Sequence, residues 1–312
     1  MVQMFSMLTN APLTVPSRYD TVDFMARMTG WPDGKRIAVV VTSPFEVWGE
    51  GTAPQYTVHA TNLRPGQVDH AGRNWSEYGG NVGVWRILSM LDRCGIPATF
   101  AFNAHCAERF PDATAQVVRS GHEIAAHGYT QDQLQVYMTP DEERAAIRRS
   151  LDVLEQASGI RPRGWFSPVL SFTEHTHAIA ADEGLLYHGD AADFDLPVVT
   201  SPGGTPIVAL PATDFSDNRV LRASPRVLLD VYKDTFDYLY ANEPFAMLGL
   251  AIHCHAGGRP LIVAVFEQIL RYFQSFPDVW FARAVDVAQY VFDGSYDDRR
   301  AGLRFYPGVP SE

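Results

Sequence analysis

Short apolar runs ending in a polar residue alternate with helical periods along most of this chain, and no other feature restricts the fold as strongly. Arg36–Val41 is a continuous β-branched run, the mark of a strand buried on both faces. Ala98–Phe102, Ile124–Ala126, Gly164–Ser167, Leu185–Tyr187, Ile207–Leu210, Met247–His253 and Val279–Ala282 repeat the pattern. Strand and helix in regular alternation imply right-handed crossovers and a parallel sheet. Seven or eight such strands are expected to close, so the fold class is α/β, a distorted (β/α) barrel.

The helices carry their own punctuation. Thr139-Pro-Asp-Glu142 is a capping box with proline at the first helical position, predicting a helix to about Ala157. Asn81 reads as an N-cap before the stripe Val84, Trp85, Ile87, Leu88 and Leu91, with Gly95 as the stop. Pro111–Ser120, Thr173–Glu183, Ser224–Tyr240 and Leu261–Phe276 complete the set, and residues 50–80 read as a long polar loop. The expected organisation is an arm at 1–35, packed on the body or on a second copy, a barrel at 36–293 and a tail at 294–312.

A formal charge of −11 argues against a nucleic-acid surface and against anionic membranes. No window is long and apolar enough to span a bilayer, and Met1–Asn10 lacks the basic segment of a signal peptide. Cys94, Cys106 and Cys254 are odd in number and make no zinc-knuckle spacing, which suits reduced thiols in a cytoplasm. The expected partner is a small-molecule substrate, with self-association into a homo-oligomer.

Glu46, Asn103, His127, Asp190, Asp193, Asp195, Asp214, His253 and Arg283 fall at or just past strand carboxyl ends, the rim where barrel enzymes do their chemistry. The ordered motifs resemble the polysaccharide deacetylase family, the carbohydrate esterases of NodB type, and within it the branch of allantoinases and cyclic imide hydrolases. The resemblance runs over about residues 18–293. It rests on Arg36-Ile-Ala-Val39 leading to Glu46, on Glu77-Tyr-Gly79 with Gly83-Val-Trp-Arg86, and on Gly121-His-Glu-Ile-Ala-Ala-His127-Gly128. It continues through Gly164-Trp165, Asp195-Leu-Pro197, Leu250-Ala-Ile-His253 with Arg259-Pro260, and Val279-Trp280-Phe-Ala-Arg283. It implies a NodB-type barrel with its pocket at the strand carboxyl ends.

Metal-dependent members of that family are expected to carry an Asp-Asp pair after the first strand and two histidines four apart. This chain has Glu46-Val47 and His127 with Gln131. A catalytic zinc needs three N, O or S ligands plus a water, so the expectation is no cofactor and metal-independent hydrolysis of a C–N bond in a small cyclic amide, imide or ureide. Glu46, its pKa raised by Phe45, Val47 and Trp48, would act as base, His253 as acid, His127 as electrostatic partner, and Asp195 would orient a histidine. Trp48, Tyr78, Tyr129, Trp165 and Phe166 would enclose a flat ring, with Arg86 or Arg259 holding an anionic group. The alternatives are a metal-dependent amidohydrolase or deacetylase with unusual ligands, zinc among them, and a non-hydrolytic barrel that binds a ligand or runs proton-transfer or lyase chemistry.

Overall fold

Strand β1, Ile37–Phe45, organises the sheet. A computed structural model describes residues 30–58, 63–64 and 66–294. Most of the expected arm and nearly all of the tail lie outside the described residues, and so does the segment on which the signal-peptide expectation rests.

In chain order, β1 leads to helix α1 (His70–Tyr78), a π-turn (Gly79–Gly83) and α2 (Val84–Cys94). Then come β2 (Thr99–Phe102), α3 (Ala104–Arg109), α4 (Pro111–Arg119), β3 (Glu123–Ala126) and α5 (Pro140–Ser158). β4 (Gly164–Trp165), α6 (Thr176–Asp182), β5 (Tyr187–Ala191), β6 (Val198–Thr200) and β7 (Ile207–Pro211) follow. The described residues close with α7 (Arg226–Asn242), β8 (Ala246–Ala251), α8 (Pro260–Gln274), β9 (Val279–Ala282) and α9 (Ala284–Gly294).

The sheet runs β6-β7-β5-β4-β3-β2-β1-β8, with β9 also on β1. One edge of β1 takes β8 along Ile37–Thr42; the other takes β9 beside Ile37–Val40 and β2 beside Thr42–Phe45. Eight strands are parallel and β6 alone pairs antiparallel, on β7. Among the described residues, the far edge of β8 meets the segment that follows β7 through the isolated bridge Ser216–Ala251. The expected α/β barrel is therefore present, with its distortion at that seam.

The period of two along each strand decides what faces inward. On β1, Val39, Val41 and Phe45 pack outward with α2 and α8 residues such as Ile87, Leu91 and Phe266. Val40, Thr42, Pro44 and Glu46 share the inner side, where they line the central pocket. On β8 the same alternation sends Leu248, Leu250 and Ile252 to the outer core and Met247, Gly249, Ala251 and His253 to the pocket.

The predicted capping box on α5 forms in full. Two expectations fail in one place. Residues 50–80 are not all loop, because Asp69 caps α1 through the Gly72 N–H at 2.9 Å. Asn81 is no N-cap, since helix passes continuously through the π-turn. The glycines there mark close packing and not a boundary: a Cβ at Gly83 would lie 1.9 Å from the Cys254 carbonyl oxygen, and one at Gly80 would enter the Phe110 ring. That approach holds the 253–258 segment, and His255 with it, against the inner face.

Candidate active site

Glu46 lies at the centre of the inner rim, 3% exposed. Its Oε1 is 3.3 Å from His127 Nε2 and 3.8 Å from His253 Nε2, and its Oε2 is 3.6 Å from His255 Nδ1. His127 Nδ1 meets the Phe166 carbonyl at 2.9 Å; a carbonyl only accepts, so Nδ1 is the donor and Nε2 faces Glu46. Asn103 ties the group together, accepting the Val47 N–H at 2.9 Å and donating to the His127 carbonyl and to Gln131.

Behind His253 stands Asp217, fully buried, with Oδ1 2.5 Å from Nδ1 and Oδ2 accepting the His253 N–H at 2.8 Å. Burial pulls the His253 pKa down, but Asp217 and Glu46 outweigh it and raise the imidazole to about 9. Burial likewise pushes Glu46 up, and the His253 charge, the hydrogen bond from His127 and the His255 field outweigh it, lowering the carboxyl to about 2. The expected upward shift of Glu46 is thus reversed, because the apolar collar of Phe45 and Val47 counts for less than the facing imidazoles. His255 is different: burial depresses it to about 3, so it is neutral, its Nε2 2.9 Å from the Tyr56 hydroxyl.

The pocket over this group is a cavity of about 450 Å³ lined by Glu46, Tyr56, His127, Phe166, Leu210 and His253, among others. Of the seven residues expected to bind the substrate, Phe166 is in that lining. Trp48 sits one layer back, packed edge-to-face on His255 with ring centroids 5.3 Å apart. Trp165 is fully buried and donates to Ser167 Oγ at 2.9 Å. Tyr129 lies with His105 and Glu108 under Arg149. Arg86 donates to Tyr78 and to the Gly258 carbonyl, and Arg259 stacks 4.3 Å from Tyr78. Asp195 is exposed in the segment between β5 and β6, and the carboxylate on His253 is Asp217. Asp217 follows no predicted strand end, so strand-end reasoning passed over it.

A second polar cluster lies on the opposite face of β5. Tyr187 and Gly189 point inward, which sends His188 and Asp190 outward beneath α6, where His177 meets them. The ligand-capable atoms of His177, His188 and Asp190 all lie within 4.8 Å of one another. The His177 and His188 rings stack at 3.6 Å and 10°, and His177 Nε2 is 3.2 Å from Asp190 Oδ2. Asp190 also accepts from Ser167 N and Oγ, each at 2.8 Å. Ser167 follows Phe166, whose carbonyl holds His127, so one backbone segment joins the clusters.

The profile of the polysaccharide deacetylase family matches residues 77–188. A solved allantoinase, Puue, is 31% identical, with a TM-score of 0.75 over 84% of this chain and 92% of that one. The chain belongs to the polysaccharide deacetylase family. A solved probable polysaccharide deacetylase from Pseudomonas aeruginosa is similar at 30% identity and TM-score 0.74, covering 84% of this chain and 93% of that one. A peptidoglycan deacetylase from Helicobacter pylori is 24% identical over 62% of this chain and 78% of its own length. Membership in this deacetylase family supports a hydrolase of an amide C–N bond.

The expectation of metal-independent hydrolysis is corrected by the His177–His188–Asp190 cluster, in a chain that aligns with the allantoinase over most of its length. The donor chemistry fits a divalent cation. Burial, with the His177 field, depresses His188 to about 4 and keeps it neutral; on Asp190, burial is outweighed by the His177 hydrogen bond, the His188 field and the Ser167 N–H, holding the carboxyl low. Two imidazoles and one carboxylate are the three protein donors a catalytic zinc requires, although the stacked rings put one imidazole in need of a turn to share an ion. The Glu46 group fits less well, because His253 retains its proton at neutral pH. Spacing could not reveal the cluster: His177 and His188 are eleven positions apart and meet only because α6 folds back over β5.

Proposed function

We propose that this chain is a cation-dependent hydrolase of an amide C–N bond in a small molecule, with an unusual ligand set of His177, His188 and Asp190. The observation that carries the reading is that three-donor cluster, one backbone segment from a buried carboxylate–imidazole pair. A cyclic amide or ureide is the favoured substrate, supported by the likeness to the allantoinase and by a cavity of about 450 Å³, the size that buries a small ligand. A cation held by His177, His188 and Asp190 would supply a fixed positive charge on the outer face of β5, one backbone segment, Phe166–Ser167, from His127.

The chain's own residues account for the proton movements. Glu46 is ionised and His253 protonated at neutral pH, the states that a base and an acid must hold together. Glu46 Oε1 takes a proton from the attacking water, and His253 Nε2 gives one to the leaving nitrogen. The proton on Glu46 then returns to His253 across the 3.8 Å gap, restoring both groups. Asp217 keeps His253 charged and oriented, and His127 holds the Glu46 carboxylate in place. Tyr56 and Phe166 exclude water around the bond.

Among the described residues no helix is long and apolar enough to cross a membrane. The three cysteines are free and buried, which supports a reducing, cytoplasmic location. Metal analysis of the purified protein, with turnover of hydantoins, imides and ureides before and after chelation, tests the reading. We expect near-stoichiometric divalent metal, activity lowered about tenfold or more by chelator and restored by metal, and no metal in His188→Ala. Full turnover by metal-free protein would overturn it.

A further inference from the structure

The turn Pro168–Leu170, at the mouth of the pocket, holds a backbone its residues resist. Val169 has φ 55° and Leu170 φ 54°, both in the left-handed region. For a β-branched side chain that is a rare and strained conformation. Both side chains are also left in the open, Val169 68% and Leu170 49% exposed, and both line the pocket. A fold seeking only stability would place glycine or asparagine here.

Strain of this kind survives only where the surroundings over-determine it, and they do. Ser167 is pinned through N and Oγ to Asp190, the Leu170 N–H returns to the Ser167 carbonyl at 3.0 Å, and the Ser171 N–H to Pro168 at 2.9 Å. Ser171 Oγ donates to Gln135 Oε1 at 2.9 Å. Pro168 sits so close over Gly128 that a Cβ there would lie 2.7 Å from Pro168 Cγ. The turn is held from both ends while its two apolar side chains are left over the cavity.

We propose that Val169 and Leu170 are specificity-determining residues, gripping an apolar alkyl or aryl substituent that the cyclic amide carries away from the scissile bond. This rests on the hydrolase reading above for the identity of the ring, and not for the grip itself. A substituent there would cover surface the fold exposes, and each methylene buried would tighten binding by about fourfold.

The test is calorimetric binding of a homologous series, succinimide through its methyl-, propyl- and phenyl-substituted forms, to the full chain carrying Glu46→Gln, so that turnover does not intervene. Affinity should climb along the series and flatten when Val169→Gly and Leu170→Gly are added. The added glycines accept the left-handed backbone, so the variant should melt no lower than its parent, which separates lost grip from lost fold. An equal climb in both proteins, a flat series in the parent, or no binding at all overturns the proposal. Turnover of the same series by the unmodified chain is read separately. A climb that the glycines abolish, without hydrolysis of any member, sinks the hydrolase reading and leaves the grip standing.

Discussion

The two polar clusters use the same side-chain types and end in opposite charge states. On the inner face, His253 looks at two carboxylates, Asp217 and Glu46, and holds its proton to about pH 9. On the outer face, burial and the stacked His177 imidazole depress His188, and Asp190, which also accepts from Ser167 and faces His177, raises it too little to compensate, so the ring is neutral down to about pH 4. The first arrangement stores a proton for transfer; the second offers bare nitrogen for a cation. Both rings are buried, and the difference lies in what faces them: two carboxylates for His253, one carboxylate and a second imidazole for His188.

The contrast can be broken in several places. The largest effect is expected from Glu46→Gln, which should cut kcat by about 10³-fold as a lost general base does while leaving cation content unchanged; loss of both together would merge the clusters into one site. Asp217→Asn should lower kcat by about 10²-fold and move the alkaline limb of the pH–rate profile from near 9 toward neutrality. An unmoved limb would show that Asp217 does not sustain the His253 charge.

Asp190→Asn or His188→Ala should remove the cation and lower turnover by about tenfold or more, with added divalent metal raising the melting temperature of the parent and not of the variants. If metal stabilises all three proteins equally, it binds elsewhere.

The smallest effect concerns stability. Because the folded pKa of His253 is raised above its ordinary 6.5, its contribution is complete below that pH and is lost as pH rises through about 9. Glu46, lowered from 4.5, contributes above 4.5 and loses that contribution as pH falls toward about 2. The melting temperature should therefore decline from pH 6.5 to 9 in the parent and be flatter in His253→Gln; parallel curves would assign the decline to other groups.

The inner rim was legible because strand period and strand ends are local signals. Glu46, His127 and His253 each end an apolar run, and the two imidazoles meet at the Glu46 carboxylate. Their electrostatics were not legible, and the inferred rise in the Glu46 pKa was inverted. Flanking residues in sequence report the collar but not the imidazoles delivered by β3 and β8. The glycines of 79–83 misled for a related reason: a missing Cβ reads as a helix boundary when the neighbour it accommodates, the Cys254 carbonyl, is 171 positions away.

From the sequence alone follow the alternation of strand and helix, the parallel barrel, the family and the three groups at the rim. These depend on periodicity and chain order, which every residue carries with it. Only the tertiary structure brought Asp217 behind His253, folded His177 over His188, and turned Val169 and Leu170 toward the cavity. Each of these joins residues through space, where burial and facing charges set the chemistry and sequence distance has no bearing.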